Sequence, residues 1–190
     1  MTIPPFTQDG VLPPFLGSTP GAAPSLMSPY DVTASEIVAR FGTTPGRREI
    51  LRGWLDHRAA MGAIGIDKGF QWLDGSFVED KEPNDLDLVI FPHRPETPDW
   101  SAWRPLVNPN PQVFDRATVK ERFRLDVFFV QLDANPESLV SLSRYWLQLF
   151  SHQRETTRWK GMLRVRLGAG EMDAPARVLL DGSVADGGSP

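Results

Sequence analysis

Residues 85–91 read Asp-Leu-Asp-Leu-Val-Ile-Phe, and they constrain this chain more than any other stretch. In a strand successive side chains alternate, so Asp85 and Asp87 share one face about 7 Å apart, while Leu86 and Leu88 turn the other way, toward helices. Leu88, Val89, Ile90 and Phe91 then carry the strand straight into apolar surroundings. A buried, unpaired carboxylate there costs on the order of several kcal/mol or takes up a proton. The chain must therefore compensate these two charges. The plainer alternative is that both aspartates cap and solubilise a strand end, with Asn84 as the turn residue.

The residues just upstream favour a site. Gly69 to Asp74 reads as a strand and is followed by a Gly75-Ser76 turn. Gly75 permits a backbone bend that a Cβ would obstruct, and Ser76 adds a hydroxyl and an N–H where a triphosphate could lie. Paired carboxylates suit hard divalent cations such as magnesium or manganese, which prefer oxygen ligands and share them with phosphates. Two-metal phosphoryl chemistry also needs a carboxylate to activate the attacking oxygen. Asp126 supplies one, as the only acid in the strand-like "RLDVFF". A structural ion pair between Asp126 and Arg124, which would share its strand face, is the competing explanation.

This pattern resembles the nucleotidyltransferase superfamily, with its DNA polymerase β-like fold. That family's signature is Gly-Ser, a spacer, Asp-apolar-Asp, and a third Asp on a later strand. Here it reads Gly75-Ser76, eight intervening residues, Asp85-Leu86-Asp87, then Asp126. The chain is also similar to a minimal bacterial branch of that superfamily through "IPPFTQDGVLPPFLG", "GRREIL", "DGSFVEDKEPNDLDL" and "KGMLRVRL". The resemblance implies an α/β (α+β) fold, a small mixed sheet covered by helices. It implies that Asp85, Asp87 and Asp126 hold Mg2+ or Mn2+, and that Gly75 and Ser76 hold the β,γ-phosphates. Lys81 is a candidate to neutralise phosphate charge. A second "LDGS" in residues 180–183 has no Asp-x-Asp strand after it and is assigned to the tail.

The expected activity is transfer of a nucleoside monophosphate, AMP from ATP by analogy, to a hydroxyl on a protein or a nucleic acid. Minimal members that silence a toxin suggest a toxin–antitoxin or antiviral defence setting. The alternative is a non-catalytic nucleotide-sensing or partner-binding module on the same fold, and a homodimer is compatible with either.

The rest of the chain frames this site. Its 190 residues, 41% hydrophobic, suit one domain. A net charge of −4 argues against bulk electrostatic binding of nucleic acid, and zero cysteines exclude disulfides and thiolate metal sites. Neither a signal peptide nor an apolar span of about 18 residues is visible, so a cytoplasmic, non-membrane setting is expected.

Residues 1–30 hold much of the proline but are too apolar for a solvated linker, which predicts an extended arm over a domain at 31–167. Helices are expected at 33–41, 45–61, about 112–121 and 135–150, the last with Leu139, Leu142, Trp146 and Leu149 at helical spacing, with a short one allowed around 98–105, and strands at 69–74, 85–91, 122–132 and 160–167. Arg47, Arg48, Arg52 and Arg58 are assigned to a solvated helix face. Lys160, Arg164 and Arg166 are assigned to a solvated surface, with lining of a nucleotide or acceptor groove as the alternative. Residues 168–190, rich in Gly, Ala and Asp, are expected to form a flexible tail.

Overall fold

The computed structural model describes residues 3–21, 23–95, 103–154, 156–168 and 170–182. Among them five strands form one sheet: β1 (Tyr30–Val32), β2 (Gly69–Asp74), β3 (Leu86–Pro92), β4 (Leu125–Phe129) and β5 (Leu163–Arg166). Their spatial order is β1-β5-β2-β3-β4. β2 runs antiparallel to β3 and β5, whereas β4 is parallel to β3 and β1 is parallel to β5. The helices are α1 (Ala34–Phe41), α2 (Pro45–Ala63), α3 (Arg104–Val107), α4 (Pro111–Phe114), α5 (Arg116–Phe123), α6 (Pro136–Phe150) and α7 (Gly170–Gly182). The mixed sheet covered by helices is thus present, and no helix among the described residues is long and apolar enough to cross a membrane.

Local chemistry starts the helices where the sequence suggests. Thr33 and Glu36 close a reciprocal capping box on α1. Thr44 caps α2, and Pro45 occupies its first turn, where no N–H is needed. The helix expected at 112–121 is two pieces, because Asp115 ends α4 and its carboxylate then caps α5 through the Thr118 N–H at 2.9 Å. α5 stops at Arg124, whose φ of 58° is left-handed. That residue therefore lies outside the strand, and β4 starts one residue later. The expectation of a short helix near 98–105 falls largely on residues outside those described.

The sheet separates two cores. Leu73, Leu86, Leu88, Ile90, Leu125 and Val127 face one way, against Ile50, Leu51, Trp54 and Leu55 of α2 and residues of α1, α5 and α7. Gly53 makes the α2–α5 approach possible, since a Cβ there would run into the Phe123 carbonyl. The opposite face carries Trp72, Val89, Phe91 and Phe128 under Leu139, Trp146 and Phe150 of α6. Leu142 and Leu149, expected on the buried stripe of α6, are exposed.

Both chain ends differ from simple tails. The N-terminal arm buries Ile3, Val11 and Leu12. It is tied down by Asp80 N donating to Gly10 O and Gly161 N donating to Leu12 O, each at 2.8 Å, and by Tyr30 Oη donating to Pro13 O at 2.6 Å. The flexible tail expected at 168–190 is overturned for Gly170–Gly182, which form α7 and bury Ala176 and Leu180. Glu171, Met172, Ala174, Ala176, Arg177, Leu179 and Leu180 are good helix formers interrupted by Pro175, and packing on α1 and α2 with a buried Arg58–Asp173 ion pair at 2.7 Å holds the helix. Arg58 is accordingly no solvated residue, and neither is Arg47, since both are buried.

If the arm is integral to the fold, Leu12→Ala should lower the unfolding free energy by about 2–5 kcal/mol in urea melts. A change near zero would mean that the arm merely rests on the surface.

Candidate functional site

Three neighbouring strands bring acids to one level. Asp74 ends β2 and is paired in register with Asp87 of β3, which is paired in register with Asp126 of β4. Adjacent strands lie about 4.8 Å apart, so the carboxylates form a row across the sheet. Alternation places them on the same face as Trp72, Val89 and Phe128, at its polar end. Asp85 precedes β3 by one residue and joins the row from the loop side.

Past Asp74 the chain turns through Gly75, with φ of +73°, into a short 3-10 turn, Gly75–Val78. A Cβ on Gly75 would collide with the Asp87 carboxylate, so the close approach of turn and acid requires glycine. An open cleft of about 350 Å³ takes in all six residues singled out from the sequence: Gly75, Ser76, Lys81, Asp85, Asp87 and Asp126.

Two buried cations hold the turn. Arg47 of α2 donates to the carbonyls of Phe77, Glu79 and Lys81 at 2.6–2.8 Å, pinning the segment after the turn. Lys160 lies between buried acids, 2.9 Å from Glu79 and 3.2 Å from Asp74, with Gly75 O at 3.3 Å. The Asp74 contact is an ion pair off the line of a hydrogen bond, and Oδ1 has no hydrogen-bond partner. Glu79 also takes Lys81 at 2.8 Å and Gln153 at 3.1 Å. Lys160 is therefore buried and lines the cleft rather than a solvated surface, whereas Arg164 does not line it: it pairs with Asp31 and lies over the Phe70 ring. Arg166 likewise lies outside the cleft residues.

Asp126 is not paired with Arg124. Arg124 instead donates to the Asn84 carbonyl and to Glu49, because the left-handed backbone swings it away from the strand. Arg116 of α5 takes both oxygens of Asp126, with Nη2 at 2.6 Å from Oδ2. Lys120, one turn on, is 2.7 Å from Asp85 and 3.9 Å from Asp126.

The neighbours set the acids apart. Burial pushes Asp74 up to about 7 despite the opposing charge of Lys160. Asp87 is raised by burial and then by Asp85 and Asp126. The Arg116 guanidinium holds Asp126 below the ordinary range. Lys160 is held above its ordinary range, since Asp74 and Glu79 outweigh the effect of its burial.

A magnesium or manganese ion fits the donors here, which are hard oxygens with Asp87 at their centre. Among the described residues Asp87 carries no hydrogen bond or ion pair, and burial followed by the charges of Asp85 and Asp126 raises its pKa against the weaker opposing pull of Arg154 and Lys160. Also among them, no three Asp, Glu, His or Cys groups already stand together at metal-holding positions. Arg116 and Lys120 instead pair with Asp126 and Asp85. Sequence reasoning missed Asp74, Arg47, Arg116 and Lys120. Only Asp74 left a signal, as a lone acid ending an aromatic strand face.

Fold and cleft together define a mixed α/β protein with a row of acids walled by cations. The chain belongs to a family of unknown function (DUF6932), whose model matches residues 4–166. No curated protein and no solved structure matches it. The matched span includes the N-terminal arm and every cleft residue named above and stops before α7.

Lys160→Met should cost about 3–5 kcal/mol, because it strands buried Asp74 without its cation and leaves Glu79 only its contacts with Lys81 and Gln153. Asp74 adds a pH signature. Its folded pKa of about 7 exceeds the ordinary 3.8, so the native state takes up a proton that the unfolded chain releases. Its contribution is full below the unfolded value and is lost as pH rises toward about 7. Buried His57, lowered to about 4 by burial, slopes the opposite way in the same window. The stability of the wild type relative to Asp74→Asn should therefore fall between pH 4.5 and pH 7.5 in urea melts; a flat difference would refute the assignment.

Proposed function

We propose that the cleft is the active site of a metal-dependent nucleotidyltransferase on a polymerase β-like fold, moving a nucleoside monophosphate, AMP from ATP, to an acceptor hydroxyl. The observation that carries this reading is the register of Asp87 with Asp126, beside Asp85 and against the Gly75–Ser76 turn. A scaffold has no need for two in-register acids on a face that is otherwise apolar.

In this reading Asp85, Asp87 and Asp126 hold magnesium or manganese. The bound metal supplies positive charge to the attacking and leaving oxygens. The Gly75–Ser76 turn receives the β- and γ-phosphates, its backbone held by Arg47 from below. Lys81, at the cleft edge, neutralises phosphate charge. Asp126 orients the acceptor hydroxyl and takes its proton. The hydroxyl oxygen bonds to the α-phosphorus, the bond to the bridging oxygen breaks, and pyrophosphate leaves.

The acceptor is a hydroxyl of a protein or a nucleic acid, and a minimal catalytic core of this kind suits a toxin–antitoxin or phage-defence role. One observation favours a second reading. Arg116 grips both oxygens of Asp126, as it would in a non-catalytic nucleotide-sensing or partner-binding module.

The discriminating experiment incubates the protein with each α-labelled nucleoside triphosphate and Mg2+ or Mn2+, alone and with the products of neighbouring genes. Label should pass to a macromolecule and fall to background in Asp87→Ala, which should keep the wild-type urea midpoint or exceed it. Tight nucleotide binding with no transfer under any condition would select the sensing module.

A further inference from the structure

Lys81, Arg116, Lys120, Arg154 and Lys160 line the cleft, and Arg47 braces the turn from behind it. Lys160 and Arg47 are buried, each bound to several buried acceptors. Arg116 and Lys120 differ, with side chains 57% and 53% exposed. They sit four residues apart on α5, hence on one face of the helix. Both reach into the cleft, and both end on acids of the proposed metal set, Arg116 on Asp126 and Lys120 on Asp85. The acids are set in the sheet or at its edge, whereas the cations ride on long side chains rooted at the surface. The cations can leave while the carboxylates stay.

A dication and a guanidinium cannot share the same carboxylate oxygens without strong repulsion. Metal entry must therefore release Arg116, and with it Lys120, into the cleft. The anion arriving with the metal is a triphosphate, seated beside the Gly75–Ser76 turn across from α5. Guanidinium and ammonium groups both bind phosphate oxygens well.

We infer that Arg116 and Lys120 are exchangeable counter-cations: they neutralise Asp126 and Asp85 in the empty cleft and pass to the substrate's phosphates when metal takes those acids. This rests on the nucleotidyltransferase reading and extends it. The exchange couples the two ligands. Metal alone must compete with the cations, nucleotide alone finds them engaged, and the two together bind more tightly than either does separately.

The test measures free Mn2+ binding by electron paramagnetic resonance, with and without a non-hydrolysable ATP analogue, in the wild type and in Arg116→Gln/Lys120→Gln. In the double variant Mn2+ alone should bind about 5-fold or more tightly, while the analogue in saturating Mn2+ should bind about 10-fold more weakly, so coupling in the usual 5–150-fold range collapses. Arg122→Gln/Arg144→Gln removes the same charge outside the cleft and should leave both affinities within about twofold. Urea midpoints establish that the variants fold.

Mn2+ affinity that is unchanged or weaker in the double variant overturns the inference, since the cations would then be building the site. Unchanged analogue affinity overturns it as well. If the wild type binds no analogue with Mn2+, the nucleotidyltransferase reading itself fails and the phosphate half of this inference falls with it. Wild-type binding that the variant preserves removes this inference alone.

Discussion

The burial of Lys160 between Asp74 and Glu79 is the interaction on which the rest of the cleft depends. Three strands ending in acid at one level would repel each other and resist desolvation. One ammonium, itself buried, offsets two of the carboxylates in the neighbourhood and touches the carbonyl of Gly75. It therefore settles the charge beneath the turn and fixes where the turn begins. Such a group is weak evidence for stability gained over an apolar replacement, because desolvating all three charges is costly. What it provides is a single geometry for Gly75 against Asp87.

The frame around that contact comes from distant parts of the chain. Arg47 reaches from α2 to three carbonyls of the segment after the turn. The N-terminal arm bridges to the same segment, Val11 opposite Glu79, and through Gly161, next to Lys160, to the backbone ahead of β5. Gly161 has no room for a side chain, since a Cβ would meet the Pro13 carbonyl. The arm is thus a wall of the scaffold that holds the cleft. Its place within the family-matched residues is consistent with that part in the fold.

What the sequence revealed and what it hid divide along the range of the interactions. Gly75, Asp85 and Asp87 were readable because strand alternation and a glycine turn are local rules. β2 was placed to the residue for the same reason. Arg116 was not readable, because its link to Asp126 depends on α5 breaking at Asp115 and ending left-handed at Arg124. The three-residue β1 exists only through its pairing with β5, which no local pattern in a proline-rich region announces. α7 was misread as tail because Pro175 and the Gly- and Asp-rich flanks masked its helix formers, and because burial of Ala176 and Leu180 and the Arg58 ion pair are long-range.

The same three-strand row shows how environment alone differentiates identical side chains. Asp74 and Asp87 are raised chiefly by burial, whereas Asp126 is lowered by Arg116. A proton acceptor works best with a pKa near the working pH, so Asp126 under Arg116 is the poorest base of the three. Asp87, central and unpaired among the described residues, is the most strongly disposed to welcome a positive charge. The chemistry assigned to Asp126 therefore requires that its guanidinium partner move away. In the resting cleft Arg116 and Lys120 neutralise Asp126 and Asp85, and where those two side chains lie decides which carboxylate is available to accept a proton.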